Sequence, residues 1–164
     1  MHLDPDFENL TYGDCHPRSL PINDLQQGDF LVFYAGLRSI KVPQNCLCYA
    51  IIGFYVVNDI VRADSIPSNR WHENAHTRRK ECRDDTVVRA QKGSSGRLAR
   101  CIDIGEFRNH AYRVQSSVLA EWGGLSVTDG YIQRSARLPH FRDPASFVKW
   151  FQSKKPDFME RNNE

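Results

Sequence analysis

Residues 28–37, GDFLVFYAGL, run apolar and aromatic side chains together with no helical spacing. A run of this kind, opened by Gly-Asp and closed by Ala-Gly, predicts a buried strand that starts at a tight corner. Gly28 can take a positive φ there, and Asp29 can bond the turn backbone before the chain extends. A second run, YAIIGFYVVNDIV at 49–61, has the same β-branched and aromatic character. The predicted strands are therefore 30–36 and 49–61, joined as a wide hairpin through LRSIKVPQNCLC at 37–48. Gly53 inside the second run predicts a bulge or a close backbone approach, as in a sheet curling towards a barrel.

Working outward, residues 1–27 are rich in Pro, Asp and Asn and predict an irregular acidic arm, held to the body by Leu3, Phe7, Leu10 and Tyr12. Downstream, IPSNRWHENAHTRRKECRDD is polar and predicts a short helix or ordered loop starting near Ser68. TVVRA at 86–90 and RLARCIDIG at 97–105 predict two more strands around the turn QKGSSG. In the second of these, Ala99 and Cys101 blur the alternation of Leu98, Ile102 and Ile104, which predicts burial over part of both faces. SSVLAEWGG predicts a short helix closed by Gly123 or Gly124. RDPASFVKWFQSKK carries the clearest helix signal: Asp143 as N-cap, Pro144 at the first position, and Phe147, Trp150 and Phe151 on one face. Lys154 and Lys155 fall where the helix dipole favours cations. The expected organisation is a single domain over 1–164: the arm (1–27), a β-rich core (28–142), a C-terminal helix (143–155) and a frayed tail (156–164). The expected class is α+β, a curled, mostly antiparallel sheet or small β-barrel with peripheral helices.

Composition narrows the function classes. The chain has 164 residues, 40% hydrophobic and 26% charged, which is ordinary globular usage. No apolar run reaches the roughly 20 residues of a membrane span, and the acidic start differs from a signal peptide, so a soluble, cytoplasmic protein without membrane contact is expected. Five cysteines, an odd number, fit a reducing compartment, and the C-x-C pair at Cys46 and Cys48 matches neither a zinc knuckle nor a redox motif. The net charge of +2 is unevenly distributed. Between Arg62 and Arg113, twelve Lys/Arg stand against seven Asp/Glu, a local excess of +5 that leaves −3 elsewhere. Such a concentration is what a phosphate-binding face requires.

Four stretches carry candidate chemistry. In the arm, His2, Asp4, Asp6 and Asp14 offer hard oxygen ligands or a general base, while aspartates beside proline also build turns. HENAH at 72–76 satisfies H-E-x-x-H as a string, yet its surround of Asn69, Arg70, Asn74, Thr77, Arg78 and Arg79 is unsuited to a buried zinc-protease helix. Contact with nucleic acid through Trp71, His76, Arg78 and Arg79 is the alternative, with Trp71 able to stack on a base or to pack as an ordinary edge-exposed core residue. The turn QKGSSGR lacks Walker spacing, but Lys92, Arg97 and Arg100 are suited to phosphate contact. Tyr34 and Tyr55 come from the two anchoring strands, where most aromatics simply fill the core.

The segment INDLQQGDFLVFYAGL followed by AIIGFYVV resembles the core of PUA-like domains, the group that includes the EVE, ASCH and YTH families. That resemblance implies a small barrel with an aromatic-lined pocket for an extruded base, at Tyr34 and Tyr55 in this chain. A wider set of landmarks, HLDPDF, GDFLVFYAG, IIGFYVV, NAH at 74–76, SGRL at 95–98 and ARLPHFRDP at 136–144, resembles in that order the nucleotide modification associated domain 3 family. That likeness implies a role in DNA base hypermodification and marks Asp4 and Asp6 as catalytic or metal candidates.

Three readings follow. The first is a binding module for DNA, RNA or a nucleotide, linked to modified bases and reading an extruded base. The second is a base-hypermodification enzyme that uses Asp4 and Asp6. The third is a small metal-dependent hydrolase using His72, His76 and aspartates. The patterns specify no cofactor and no protein partner.

Overall fold

Gly28 adopts a φ of +96°, and its N–H donates to the carbonyl of Val57 at 2.9 Å. The Asp29 carbonyl accepts from Val57 N–H at 2.7 Å, and its carboxylate accepts from Gln26 N–H, also at 2.7 Å. The corner thus forms as its sequence predicts, because glycine tolerates the left-handed region and the aspartate satisfies the turn amides. The structure, a computed structural model, describes residues 4–38, 47–79, 84–132 and 138–162.

Beyond the corner run β2 (Phe30–Arg38) and β3 (Leu47–Arg62), longer than predicted; most of the linker between them lies outside the described residues. The remaining strands are β1 (Thr11–Asp14), β4 (Thr86–Ala90), β5 (Gly96–Asp103), β6 (Gly105–Arg108), β7 (Ala111–Val114) and β8 (Phe158–Met159). Among the described residues three short α-helices accompany them: α1 (Leu20–Asn23), α2 (Ser116–Glu121) and α3 (Pro144–Ser153). The chain is therefore a mixed α/β protein dominated by antiparallel strands. The larger sheet runs β1-β4-β3-β5-β8 with β2 also on β3, and β6 and β7 form a separate hairpin. Because the path ends at β1 and β8, which do not pair with each other, no closed barrel is formed among the described residues.

The chain divides into two compact units, the first comprising Met1–Phe33, Gly53–Leu98 and Phe158–Glu164, the second Tyr34–Ile52 and Ala99–Asp157. In the first unit β1 pairs antiparallel with β4 from Thr11 opposite Arg89 to Asp14 opposite Thr86, and β4 continues onto β3 with a register shift between Val57 and Asp59. Phe7, Leu10 and Tyr55 form a buried cluster, with Phe33 edge-on to both Phe7 (5.8 Å) and Tyr55 (4.8 Å). Gly53 is the close approach its position suggested: a Cβ there would enter the Phe7 ring.

The termini are more ordered than expected. The arm packs through Phe7 and Leu10 as its sequence suggests, but it also supplies strand β1. The tail is tied down as β8, with Arg97 opposite Met159 and Leu98 opposite Phe158, and the Asn162 amide donates to Asp6 at 2.8 Å. Both strands are very short and sit in stretches that are polar around them, and an edge strand needs only its backbone to pair.

In the second unit, β6 and β7 meet with Phe107 opposite Tyr112, turning through Asn109 and His110, both at positive φ. That is the backbone of a primed hairpin turn, and the sequence reading missed it because Asn-His signals such a turn far less strongly than Asn-Gly. α2 stops at Gly123 and Gly124, both at positive φ as predicted. α3 starts where Asp143 accepts from Ser146 N–H at 3.0 Å. Its Phe147 stacks on Phe141 at 4.0 Å, and Trp122 sets its edge on Phe141, Phe147 and Trp150 at 5.2–5.4 Å. Along β5, Ala99 and Cys101 are exposed, so the expected burial of both faces does not hold there. No described helix is long and apolar enough to cross a membrane.

Candidate functional site

The first unit brings together residues that the sequence keeps far apart. Asp4, in the arm, reaches the Nε2 of His76 with Oδ2 at 3.0 Å, and Asp85, just before β4, reaches Nδ1 with Oδ2 at 2.6 Å. His76 is 3% exposed and Asp85 5%. Both ring nitrogens face carboxylates, so both must donate, and the geometry calls for an imidazolium. Burial pulls the His76 pKa down, but the hydrogen bonds and charges of Asp4 and Asp85 outweigh it and raise it above the ordinary histidine value. Arg79 adds a cation 3.5 Å from Asp85.

The local backbone is built for this contact. Gly13 donates its N–H to Asp4 Oδ1 at 2.8 Å, and a Cβ on Gly13 would strike the His76 ring and lie 2.6 Å from Asn74 Oδ1. Asn74 in turn accepts from His76 N–H at 2.8 Å and donates to Thr11 Oγ1 at 3.1 Å, while that hydroxyl donates to the Glu73 carbonyl at 2.5 Å. Thr11 and Gly13 alternate along β1, which is why both face the 73–77 loop.

Over this buried base runs a 3-10 helix (Ser68–Glu73) followed by a 3-10 turn (His76–Arg78). Glu73 faces inward onto Arg70 and Arg89, and Trp71 faces outward, 50% exposed. The Trp71 indole donates to the Ile66 carbonyl at 3.0 Å, and Thr77 Oγ1 donates to the Trp71 carbonyl at 2.6 Å. The ring is thereby fixed in orientation with its surface open. Arg70, His72, Arg78 and Arg79 around it are all exposed.

The other sequence candidates fall elsewhere. Asp6 caps a turn: its carboxylate accepts from Glu8 N–H, from both nitrogens of Asn9, and from Asn162. Burial raises its pKa, but these four hydrogen bonds hold it below the usual carboxylate value. Tyr55 is fully enclosed, with its hydroxyl donating to the Asp6 carbonyl at 2.7 Å, the setting of a core tyrosine. Tyr34 belongs to the second unit, is partly exposed, and donates its hydroxyl to the Ile132 carbonyl. Lys92 sits on the β4–β5 turn, 3.5 Å from Glu160. On β5, Arg97 has Nε and Nη2 enclosed, and Arg100 is exposed. Asp14 holds Arg18 at 3.1 Å and accepts from the Tyr12 hydroxyl at 2.7 Å. His2 lies outside the described residues.

HENAH does not make the zinc-protease arrangement. The two histidines sit on separate 3-10 segments, His72 exposed and His76 buried, and Glu73 is held by arginines. No group of three His, Cys, Asp or Glu suited to a metal occurs among the described residues. Sequence reasoning missed Asp85 and Gly13; neither has a motif, and only the meeting of β1, β4 and the 73–77 loop gives them a role.

A family model described as nucleotide modification associated domain 3 matches residues 1–159. No curated protein and no solved structure matches the chain.

Proposed function

The chain belongs to the nucleotide modification associated domain 3 family, and from that premise we propose that it binds a nucleotide or nucleic acid in the context of base modification, with Trp71 as the stacking surface. The observation that carries this reading is a half-exposed tryptophan, locked by its indole N–H, among Arg70, His72, Arg78 and Arg79. An aromatic face beside the exposed Arg78, with Arg70 and Arg79 close by and paired to Glu73 and Asp85, suits a base together with its phosphate. The buried Asp4–His76–Asp85 chain supports the reading as the anchor that fixes the loop, so ordering costs little on binding. A PUA-like core remains part of the proposal, supported by the Gly28-Asp29 corner and the two strands it launches.

Fluorescence tests this directly, because the other two tryptophans, Trp122 and Trp150, are buried. Titration with mononucleotides and short oligonucleotides should quench the Trp71 emission, and Trp71→Ala should abolish the response while leaving the fold intact. Unchanged emission with ligands that bind by an independent assay would refute the assignment.

A second reading is favoured by one observation: Asp4 and His76, 72 positions apart, meet at 3.0 Å. An enzyme of base modification could hold a proton there, with Asp4 as the catalytic residue and His76 positioning it. Asp4→Asn should then remove product formation without removing binding.

A further inference from the structure

We infer that the second unit carries a separate surface for single-stranded nucleic acid, centred on Phe107; this rests on the reading above for the class of ligand alone. Charge comes first. The second unit contains eleven Lys/Arg and six Asp/Glu, a net +5, while the first contains eleven and fourteen, a net −3. Within the second unit Arg108 and Arg113 are engaged by Glu106 and Asp129. The excess field therefore comes from other cations, among them Arg38 and Arg100, both exposed.

Aromatic geometry comes second. Tyr34, Tyr49, Tyr112 and Phe107 form a continuous row of edge contacts with centroids 5.8, 5.7 and 5.1 Å apart. Tyr49 is buried in the middle, and the row surfaces at Phe107, 63% exposed, and at Tyr34. An exposed phenylalanine on a strand contributes nothing to the core, and the ring behind it holds it upright.

Strand alternation places the two arginines on the same side as the row. Tyr34, Gly36 and Arg38 share one face of β2, and a Cβ on Gly36 would lie 3.2 Å from the Tyr49 ring, so that face is the one Tyr49 occupies. On β5, the Cys48 thiol bonds Asp103 at 2.9 Å, which puts Asp103 and Cys101 on the Cys48 side and Arg100 on the Tyr49 side. An exposed ring and exposed guanidinium groups on the same side are the two elements that bind a strand by stacking and backbone charge, without reading sequence. The occupant is a single strand, because the bases of a duplex offer no free face to Phe107.

The test is fluorescence anisotropy with a labelled dodecathymidine, its duplex with dodecaadenosine, and thymidine monophosphate as competitor, at two salt concentrations. The single strand should bind more tightly than the duplex and weaken with salt. Phe107→Ala should lower its affinity about tenfold, Phe107→Tyr should retain it, and Arg38→Ala with Arg100→Ala should flatten the salt dependence. Equal affinity of wild type and Phe107→Ala, or preference for the duplex, overturns the inference. Trp71→Ala separates the two sites: loss of strand binding there with none in Phe107→Ala upholds the Trp71 surface and removes this one. Loss in Phe107→Ala alone upholds this one and removes Trp71 from strand binding, leaving its nucleotide site to the quenching titration.

Discussion

The two units use their charges in opposite ways. In the first, cations of the basic stretch are tied to acids: Arg70 and Arg89 to Glu73, Arg79 to Asp85, Lys92 to Glu160, with His76 between Asp4 and Asp85. Among the described residues the second has an ionic knot of Arg108 and Arg113 with Glu106 and Asp129, and its sequence carries a surplus of positive charge outside it. A linear charge map located an excess of +5 between residues 62 and 113, but folding redistributes it, because much of that stretch belongs to the acidic unit. Local density of Lys and Arg therefore says little about a polyanion surface until the neighbouring acids are known.

The largest effect that could break this contrast is at His76. His76→Ala removes the cation held between Asp4 and the buried Asp85 and should destabilise the first unit by about 3–5 kcal/mol, read by urea unfolding, with amide exchange locating the loss there. A loss under about 1 kcal/mol would mean that the Asp–His–Asp chain is not a structural centre. Next is Gly13→Ala, which forces a methyl group into His76 and Asn74; overpacking of this kind costs about 1–3 kcal/mol, measurable by the same unfolding curve. Trp71→Ala should leave stability unchanged and weaken nucleotide binding by about 1–3 kcal/mol, measured by calorimetry.

A gentler probe is pH. The folded-state pKa of His76 is raised above the unfolded value of 6.5, so its contribution is complete below about 6.5 and lost as pH rises through the raised value. Stability measured across that interval should fall in the wild type and stay flat in His76→Ala. The smallest effect belongs to the second unit: burial, with the hydrogen bond to Asp103 and its charge, pushes the Cys48 thiol up to about 12. Cys48 should therefore alkylate more slowly than the exposed Cys101 at pH 8, and Asp103→Asn should narrow the gap, as mass spectrometry of labelled peptides would show.

Much of the framework was legible. The corner at Gly28-Asp29, the strands around 30–36, 49–61 and 86–90, the stop of α2 at its glycines and the start of α3 at Asp143 all follow from local rules about φ, capping and apolar spacing. Elements with weak local signals escaped: β1 and β8 are only four and two residues long, and the β6–β7 turn uses Asn109 and His110 where glycine would announce it. Of the candidate site, Asp4, Trp71, His76 and Arg79 were picked out, but as separate possibilities.

The sequence by itself determined the Gly28-Asp29 corner and the long strands after it, the ends of α2 and α3, and the family to which the chain belongs, because each depends on residues close together or on landmarks in order. Only the tertiary structure decided that Asp4 and Asp85 close on one histidine, that Asp6 caps a turn, that Tyr55 is core, and that Trp71 and Phe107 are exposed. Those outcomes depend on which strands pair and what is desolvated between them, and a carboxylate or an aromatic ring takes its role from its partners and its exposure to water.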